Sequence, residues 1–357
     1  MTGRGIDQVL PHPGDPTLHE SYVRDAGEYV RLAETMNGPI PKPVDFSYIW
    51  GDALQELERM EPDLRIINLE TSVTKNEDFW KGKPVHYRMN PANIPCITAA
   101  NVNYCSLANN HILDWGYAGL AETKKTLDKA GIKSAGAGGN IDEAETPAVM
   151  EIRGKGRVIV FSLGSESSGI PPTWTASKRL PGVNIFNETL ETMIPTIREK
   201  VEETKRKDDF AVASIHWGPN WEYGIPRERQ RLAHRLIDES GFDLIHGHSS
   251  HHVKGIEVYR DKLILYGCGD FLNDYEGIGG HELFRDDLGL MYFARVQLGK
   301  GNVLSLEMTP TQIKRFRLNQ TSRQDTLWLQ RTLDREGHEL GTRTELGDDD
   351  KLRLLWK

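Results

Sequence analysis

The sequence has few cysteines, no long apolar run and no excess of positive charge. Its three cysteines, Cys96, Cys105 and Cys268, lie far apart without C-x-x-C spacing, which predicts buried free thiols and a reducing, cytoplasmic location. No stretch approaches the about 18 apolar residues that cross a bilayer, and residues 1–15 lack the apolar segment of a signal peptide. The net charge of −8 argues against nucleic-acid binding and leaves room for a local basic pocket that binds an anionic substrate.

From residue 46 onward, apolar segments of strand and helix character alternate along the chain. Four short apolar runs are predicted to be buried strands: 64–69, 103–107, 210–215 and 242–245. Helices are predicted between them, for example over 117–130 and 227–240, and hairpins follow the last of the four runs. This order predicts an α/β fold, a mixed sheet system with helices outside.

Polar side chains that can bind a metal follow each of these four strands. Glu70 follows the first strand, the Asn-Asn-His triplet at 109–111 the second, and His216 the third. Four histidines, at positions 246, 248, 251 and 252, follow the fourth. Ligands of open α/β sheets bind at the carboxyl ends of the strands. We therefore expect one carboxylate, one or two amides and several imidazoles on a common rim.

Carboxylate, amide and imidazole donors suit Mn, Fe or Zn better than they suit a structural zinc site built from thiolates. A glutamate that bridges two cations about 3.5–4 Å apart forms a two-metal hydrolytic centre. A histidine that lies beside the metals without binding them can protonate a leaving group. The residue types therefore predict a metal-dependent hydrolase with two divalent ions.

Four motifs, in order along the chain, closely resemble those of one protein family. They are NLETSVT at 68–74, SLANNHILDWGYAG at 106–119, SIHWGPNWEY at 214–223 and GHSSHHVKGIEVYRDKLILYGCGDFLNDYEG at 247–277. With these motifs the chain resembles the CapA-type poly-γ-glutamate capsule synthesis proteins, which belong to the calcineurin-like metallophosphoesterase superfamily. The resemblance covers about residues 1–310. It implies a four-layer α/β/β/α sandwich of two facing mixed sheets.

The resemblance also implies roles for individual side chains. His111 resembles the acid that protonates the leaving group. The implied metal ligands are a bridging carboxylate, an amide and three imidazoles: Glu70, Asn110, His216, His248 and His251. The spacing here is GHxxH, where the superfamily has GHxH, so His251 and His252 are both candidates for the last ligand.

The amino end matches only the tail of the family's first motif, Gly-Asp-x-Met-x-Gly-Arg. That tail is Met1 to Arg4, which places the expected metal-binding aspartate upstream of Met1. We therefore expect an amino-terminally extended form to bind two metals more tightly, and equal metal content in both forms would contradict this. Arg4 lies between two glycines and is a candidate for binding an anionic group of the substrate, with plain solvation as the alternative.

Two parts of the chain are expected, a metallophosphoesterase-like domain over 1–310 and a helix plus hairpin over 311–357. The second part either closes the sandwich or docks a protein partner. Three functions remain open for the whole. They are a phosphoesterase acting on a small or polymeric anion, an enzyme of amide-bond chemistry on a γ-glutamyl polymer, and a non-catalytic accessory protein of polymer synthesis or export.

Overall fold

The computed structural model describes residues 1–186 and 190–357. Its α-helices are α1 (Gly5–Val9), α2 (Gly27–Asn37), α3 (Ala53–Met60), α4 (Pro95–Thr98), α5 (Gly116–Lys129), α6 (Ile141–Glu145), α7 (Leu190–Thr204), α8 (Arg227–Asp238) and α9 (Arg323–Gly337). Short 3₁₀ turns lie at Tyr48–Trp50, Pro91–Asn93, Glu166–Ser168, Pro172–Trp174 and His338–Leu340. Within the described ranges, no helix is both long enough and apolar enough to cross a membrane.

The strands share the chain with these helices, which confirms the predicted α/β class. They are β1 (Ile66–Asn68), β2 (Ser72–Val73), β3 (Arg88–Met89), β4 (Tyr104–Ser106), β5 (Lys133–Ala135), β6 (Ala137–Gly138), β7 (Ala148–Ile152), β8 (Gly156–Ser165), β9 (Gly182–Val183), β10 (Ile185–Phe186), β11 (Phe210–His216), β12 (Leu244–His248), β13 (Ile256–Tyr259), β14 (Lys262–Leu265), β15 (Leu288–Gln297), β16 (Asn302–Lys314), β17 (Arg317–Gln320), β18 (Thr342–Leu346) and β19 (Leu352–Trp356).

The largest sheet has the order β10-β8-β11-β12-β14-β13, with β7 beside β8. Neighbours from β10 to β14 run parallel, while β7 and β13 pair antiparallel with their neighbours. Strand β11 is buried at every position, as expected for an apolar strand that is covered on both faces. The parallel pairing places the carboxyl ends of β8, β11, β12 and β14 at one edge of the sheet.

A smaller parallel sheet, β1-β4-β5, packs against the large one. The apolar contact between them is one buried cluster of Tyr104, Ala135, Ala148, Met150, Val158, Val160, Phe210 and Val212. Hydrogen bonds add to it, because Ser162 Oγ of the large sheet contacts the Tyr104 hydroxyl and donates to Ser106 Oγ at 2.8 Å. Two sheets therefore meet through buried side chains, while the four-layer order of the expected sandwich stays a prediction.

Helix α5 follows the loop that carries two of the predicted site residues, Asn110 and His111. Leu120 and Leu127 lie on its buried stripe, and its Thr123 Oγ1 accepts a 2.8 Å hydrogen bond from Val73 N of β2. Gly131 ends the helix with a φ of 74°, the left-handed conformation that side chains disfavour. The helix therefore joins the ends of β2 and β4.

A further antiparallel sheet, β15-β16-β19-β18 with β17 beside β16, contains the carboxyl-terminal residues. Strand β16 pairs with β15 across the boundary expected at residue 310, since Leu290 lies opposite Pro310 and Gly289 opposite Thr311. Leu329 of helix α9 is fully buried in a core that also contains residues of β13 and β14. Residues 311–357 therefore share a sheet and a core with what precedes them.

Charged side chains join this last sheet to helix α3. Glu56 accepts hydrogen bonds at 2.8 Å from Arg59 and from Thr309 Oγ1, and a further one from Lys351. Burial acts against ionisation, but these bonds outweigh it and lower the pKa of Glu56 to about 2.

Candidate metal centre

The strand order brings the predicted site residues to one edge of the fold. β11 and β12 pair so that His216 lies beside His248 and Ser214 beside His246. Because side chains alternate along a strand, these four lie on one face of the sheet. On the smaller sheet, β1 and β4 are neighbours, so the segments that follow them are adjacent as well.

His216 lies at the centre of this group. Its Nε2 is 3.1 Å from Asn110 Oδ1 and 3.9 Å from Glu70 Oε1. The second oxygen of Glu70 accepts a 2.9 Å hydrogen bond from Asn68 Nδ2. Burial raises the pKa of Glu70 and lowers the pKa of His216, because loss of solvent disfavours both charged forms.

A chain of hydrogen bonds supports His216 from behind. His216 Nδ1 is 2.7 Å from His248 Nδ1, and Ser214 Oγ is 3.0 Å from both His248 Nε2 and His246 Nδ1. The histidines of this chain can adopt either of two sets of tautomers. In one set His216 carries its proton on Nδ1 and donates it to His248, and its Nε2 then presents a lone pair to the nearby oxygens. A metal bound at Nε2 requires that tautomer.

His251 lies beside this group, held by a carboxylate. Its Nδ1 is 3.0 Å from Asp270 Oδ1, and its Nε2 is 3.4 Å from the Tyr275 hydroxyl. Asn273 Nδ2 donates to the other Asp270 oxygen at 2.9 Å. Burial opposes protonation, but the negative charge of Asp270, with a smaller contribution from Glu70, raises the pKa of His251.

His252, the alternative to His251, has both ring nitrogens engaged elsewhere. Its Nδ1 is 3.0 Å from the Val253 carbonyl, and its Nε2 accepts a 3.2 Å hydrogen bond from Glu222 N. Burial lowers the pKa of His252 to about 4. The geometry therefore favours His251 as the site-facing histidine, and its role as a ligand stays a prediction.

His111 forms part of a second polar group next to Asn110. Its Nδ1 is 2.6 Å from Asp114 Oδ2, and Lys83 Nζ donates to Asp114 Oδ1 at 2.5 Å. Burial lowers the pKa of His111 to about 4. The pKa of Asp114 is also lowered, since its interactions with His111 and Lys83 outweigh the effect of burial. Asp114 therefore accepts the Nδ1 proton of His111, and Nε2 is the nitrogen left for a substrate.

Arg4 is buried rather than solvated, with only 2% of its side chain exposed. Its guanidinium pairs with Asp274 at 2.6 Å and with Glu20 at 3.0 Å, and it donates to the Tyr29 hydroxyl at 3.0 Å. It also lies over the rings of Tyr29 and Tyr87. Protein groups therefore surround Arg4, and its predicted contact with substrate stays a prediction.

A divalent cation needs several oxygen or nitrogen donors at similar distances. Across residues 1–186 and 190–357, no three His, Cys, Asp or Glu side chains already form a group that could hold a metal ion. The amide of Asn110 adds a donor of a different kind. Ligands of one ion with bonds of about 2.1 Å lie roughly 3–4 Å apart, and the separations of Asn110 and Glu70 from His216 Nε2 fall in this range. These three residues therefore fit one cation.

Three side chains of the site were not assigned from sequence. Ser214 could have been found, because it lies two residues before His216 on the same strand and so on the same face. Asp270 lies in the last of the four motifs, but its contact with His251 joins residues 19 positions apart. Lys83 is in the polar segment 71–89, which has no periodicity that would show where its side chain lies.

Comparison with known proteins identifies the family. The family described as bacterial capsule synthesis protein PGA_cap matches residues 1–275. A probable polyglutamine synthesis accessory protein of Mycobacterium tuberculosis is 47% identical over 356 residues, which are 99% of this chain and 93% of that protein. The PGA biosynthesis protein CapA of Bacillus subtilis is 29% identical over 249 residues, 69% of this chain and 60% of that protein.

Among solved structures, a phosphatase from Mycoplasma pneumoniae is similar over 73% of this chain and 86% of its own, with 13% identity and a TM-score of 0.45. The family match covers all four sequence motifs apart from the last two residues of the fourth. The chain therefore belongs to the bacterial capsule synthesis protein PGA_cap family, which confirms the resemblance to CapA-type proteins.

Proposed function

We propose that this protein is a metal-dependent hydrolase with phosphoesterase-like chemistry at a centre of two divalent cations. One observation carries the proposal: the Asn110 amide oxygen and the Glu70 carboxylate both lie within 4 Å of His216 Nε2. These three groups come from three separate strand ends and are all buried or partly buried. In the tautomer with a lone pair on Nε2, these three acceptors face one another without a donor, and a cation would join them.

Four of the predicted residues would hold the two ions. Glu70, Asn110 and His216 would hold one ion, and Glu70 would bridge to a second ion held with His251. In its observed position His248, predicted as a further ligand, supports His216 from behind. Bound Mn, Fe or Zn would supply a hydroxide nucleophile and would neutralise charge on the transferring phosphoryl group.

His111 would move the proton that the leaving group needs. Asp114 fixes its Nδ1, so the proton is exchanged at Nε2. With a pKa of about 4, His111 is neutral near pH 7 in the free protein. An anionic oxygen next to Nε2 favours the charged imidazole, so substrate binding itself would promote protonation of His111.

A second function is supported by the relative that is 47% identical, whose name is that of a probable polyglutamine synthesis accessory protein. By this proposal the chain is an accessory protein in the synthesis of a glutamine or glutamate polymer, and the same pocket binds a partner without catalysis. We also infer that it works in the cytoplasm. The free thiols Cys96, Cys105 and Cys268 support this, and cell fractionation with compartment markers would test it.

The deciding experiment measures metal content and hydrolysis of an aryl phosphate for the wild type, Glu70→Gln and Glu58→Gln. Glu58 is an exposed glutamate of α3 and serves as the matched control. We expect bound manganese and hydrolysis in the wild type and the control, and loss of both in Glu70→Gln.

Metal bound without phosphate hydrolysis, together with cleavage of a γ-glutamyl peptide, would favour amide-bond chemistry. A wild type that binds no metal and hydrolyses neither substrate would contradict the hydrolase and leave the accessory role.

A further inference from the structure

Lys83 brings a positive charge to the predicted centre from the loop between β2 and β3. Its side chain is 11% exposed. The ammonium donates to the carbonyl of Asn110 and to Asp114 Oδ1, and it lies 3.3 Å from His111 Nδ1. The charge of Lys83 also acts on the ionisation of Glu70. The lysine therefore belongs to the surroundings of the reacting groups.

Two of the three N–H groups of the Lys83 ammonium donate to the Asn110 carbonyl and to Asp114 Oδ1. The contact with His111 does not supply an acceptor for the third. An ionised Asp114 can only accept, so the 2.6 Å contact with His111 places the proton on Nδ1. A protonated Nδ1 has no lone pair, and the 3.3 Å approach of Lys83 is therefore not a hydrogen bond to it. The ammonium also lies 4.9 Å from the centroid of the Trp174 ring, a weaker contact that leaves one donor available for an anion.

Lys83 also differs from Arg4, the cation that the sequence suggested for substrate binding. The Arg4 guanidinium is engaged by two carboxylates and a tyrosine hydroxyl. The Lys83 ammonium shares a single carboxylate with His111 and is partly open to solvent. Of these two cations, Lys83 is the one that can accept a further anionic partner.

We propose that Lys83 is a specificity-determining residue that contacts a negative charge on the leaving-group side of the substrate. The inference rests on the proposed function, in which His111 protonates the leaving group. Lys83 lies on the Nδ1 side of His111, so a leaving group that takes a proton from Nε2 can reach it through a charged substituent. The substrate class is therefore a phosphate ester or anhydride whose leaving group carries its own carboxylate or phosphate.

Two matched probe pairs test this. Benzylphosphonate and 3-carboxybenzylphosphonate, which are not hydrolysed, report binding by calorimetry in the presence of manganese. Phenyl phosphate and 3-carboxyphenyl phosphate report kcat/KM. The meta position is used because an ortho carboxylate would itself assist hydrolysis. The proteins are the wild type, Lys83→Met, Lys83→Arg, and Lys81→Met as an exposed control on the same loop.

The wild type should bind the carboxylated phosphonate about tenfold or more tightly than its partner, the effect of one charged hydrogen bond. Lys83→Met should remove this preference, Lys83→Arg should retain most of it, and Lys81→Met should leave it unchanged. The kcat/KM ratio should follow the same order.

Equal binding of the two phosphonates by the wild type would overturn the inference without any variant, as would absence of binding. A Lys83→Met protein that keeps the preference, or that loses affinity equally for both probes, would overturn it too, since the lysine would then only position its neighbours. Hydrolysis of phenyl phosphate is a separate readout. Its absence contradicts the proposed phosphoesterase, while the ratio of phosphonate affinities still decides the role of Lys83.

Discussion

Replacing Arg4 with methionine should destabilise the protein strongly, because it leaves two carboxylates buried without their cation. Arg4 pairs with Asp274 through two hydrogen bonds, at 2.6 and 3.1 Å, and with Glu20 at 3.0 Å. The side chains of all three residues are at most 2% exposed. Water therefore cannot replace the lost interaction.

Breaking a buried ion pair from one side costs about 3–5 kcal/mol of the free energy of unfolding. This is a large share of the roughly 5–15 kcal/mol that holds a folded protein together. When all charged partners are replaced by neutral groups of similar size, the cost is much smaller. The triple variant Arg4→Met, Glu20→Gln, Asp274→Asn should therefore lie within about 1–2 kcal/mol of the wild type.

Urea unfolding followed by tryptophan fluorescence measures these differences. A loss below about 1 kcal/mol in Arg4→Met, or a triple variant as unstable as the single one, would refute the reasoning. The triple variant also separates the two roles of Arg4. If Arg4 contacts substrate, the triple variant will be stable but will bind substrate weakly, and if Arg4 is structural, it will keep wild-type affinity.

Three further results are expected. Ser214→Ala should weaken manganese affinity by about 10- to 100-fold in calorimetry, because it interrupts the hydrogen bonds behind the ligand histidine, whereas Ser162→Ala should not. Leu329→Ala should cost about 2–5 kcal/mol of unfolding free energy, and Leu304→Ala, at a position that is 54% exposed, should cost almost nothing. Glu56→Gln should destabilise the protein near pH 7 and progressively less as the pH falls from about 4.5 towards 2, since a lowered pKa in the folded state stabilises only the ionised form. A pH-independent difference in unfolding free energy would contradict this last expectation.

The sequence was sufficient to predict which strand ends meet. Apolar runs that alternate with helices predict parallel strands, and parallel strands place Glu70, Asn110 and His216 at a common edge. The structure brings an oxygen of Glu70 and the amide oxygen of Asn110 within 4 Å of His216 Nε2. Their roles as metal ligands stay predictions.

What the sequence did not show depends on contacts between distant segments. Lys83 lies in a loop whose path follows from tertiary packing alone, so no periodicity could place it beside Asp114. For Arg4 the sequence left substrate binding and plain solvation open, and it could not show that Asp274, 270 positions away, accepts hydrogen bonds from its guanidinium. Strand β16 runs through residue 310, where the sequence suggested an end because a proline inside a strand resembles a terminus.

The sheet from β15 to β19 covers apolar residues that belong to the part of the chain matched by the family. The family match ends at residue 275, whereas this sheet and α9 together cover an apolar surface that includes Val253, Ile256 and Leu263. An uncovered surface of this kind promotes association. We therefore expect a chain shortened to the matched residues 1–275 to associate through this surface, because nothing of its own would cover it.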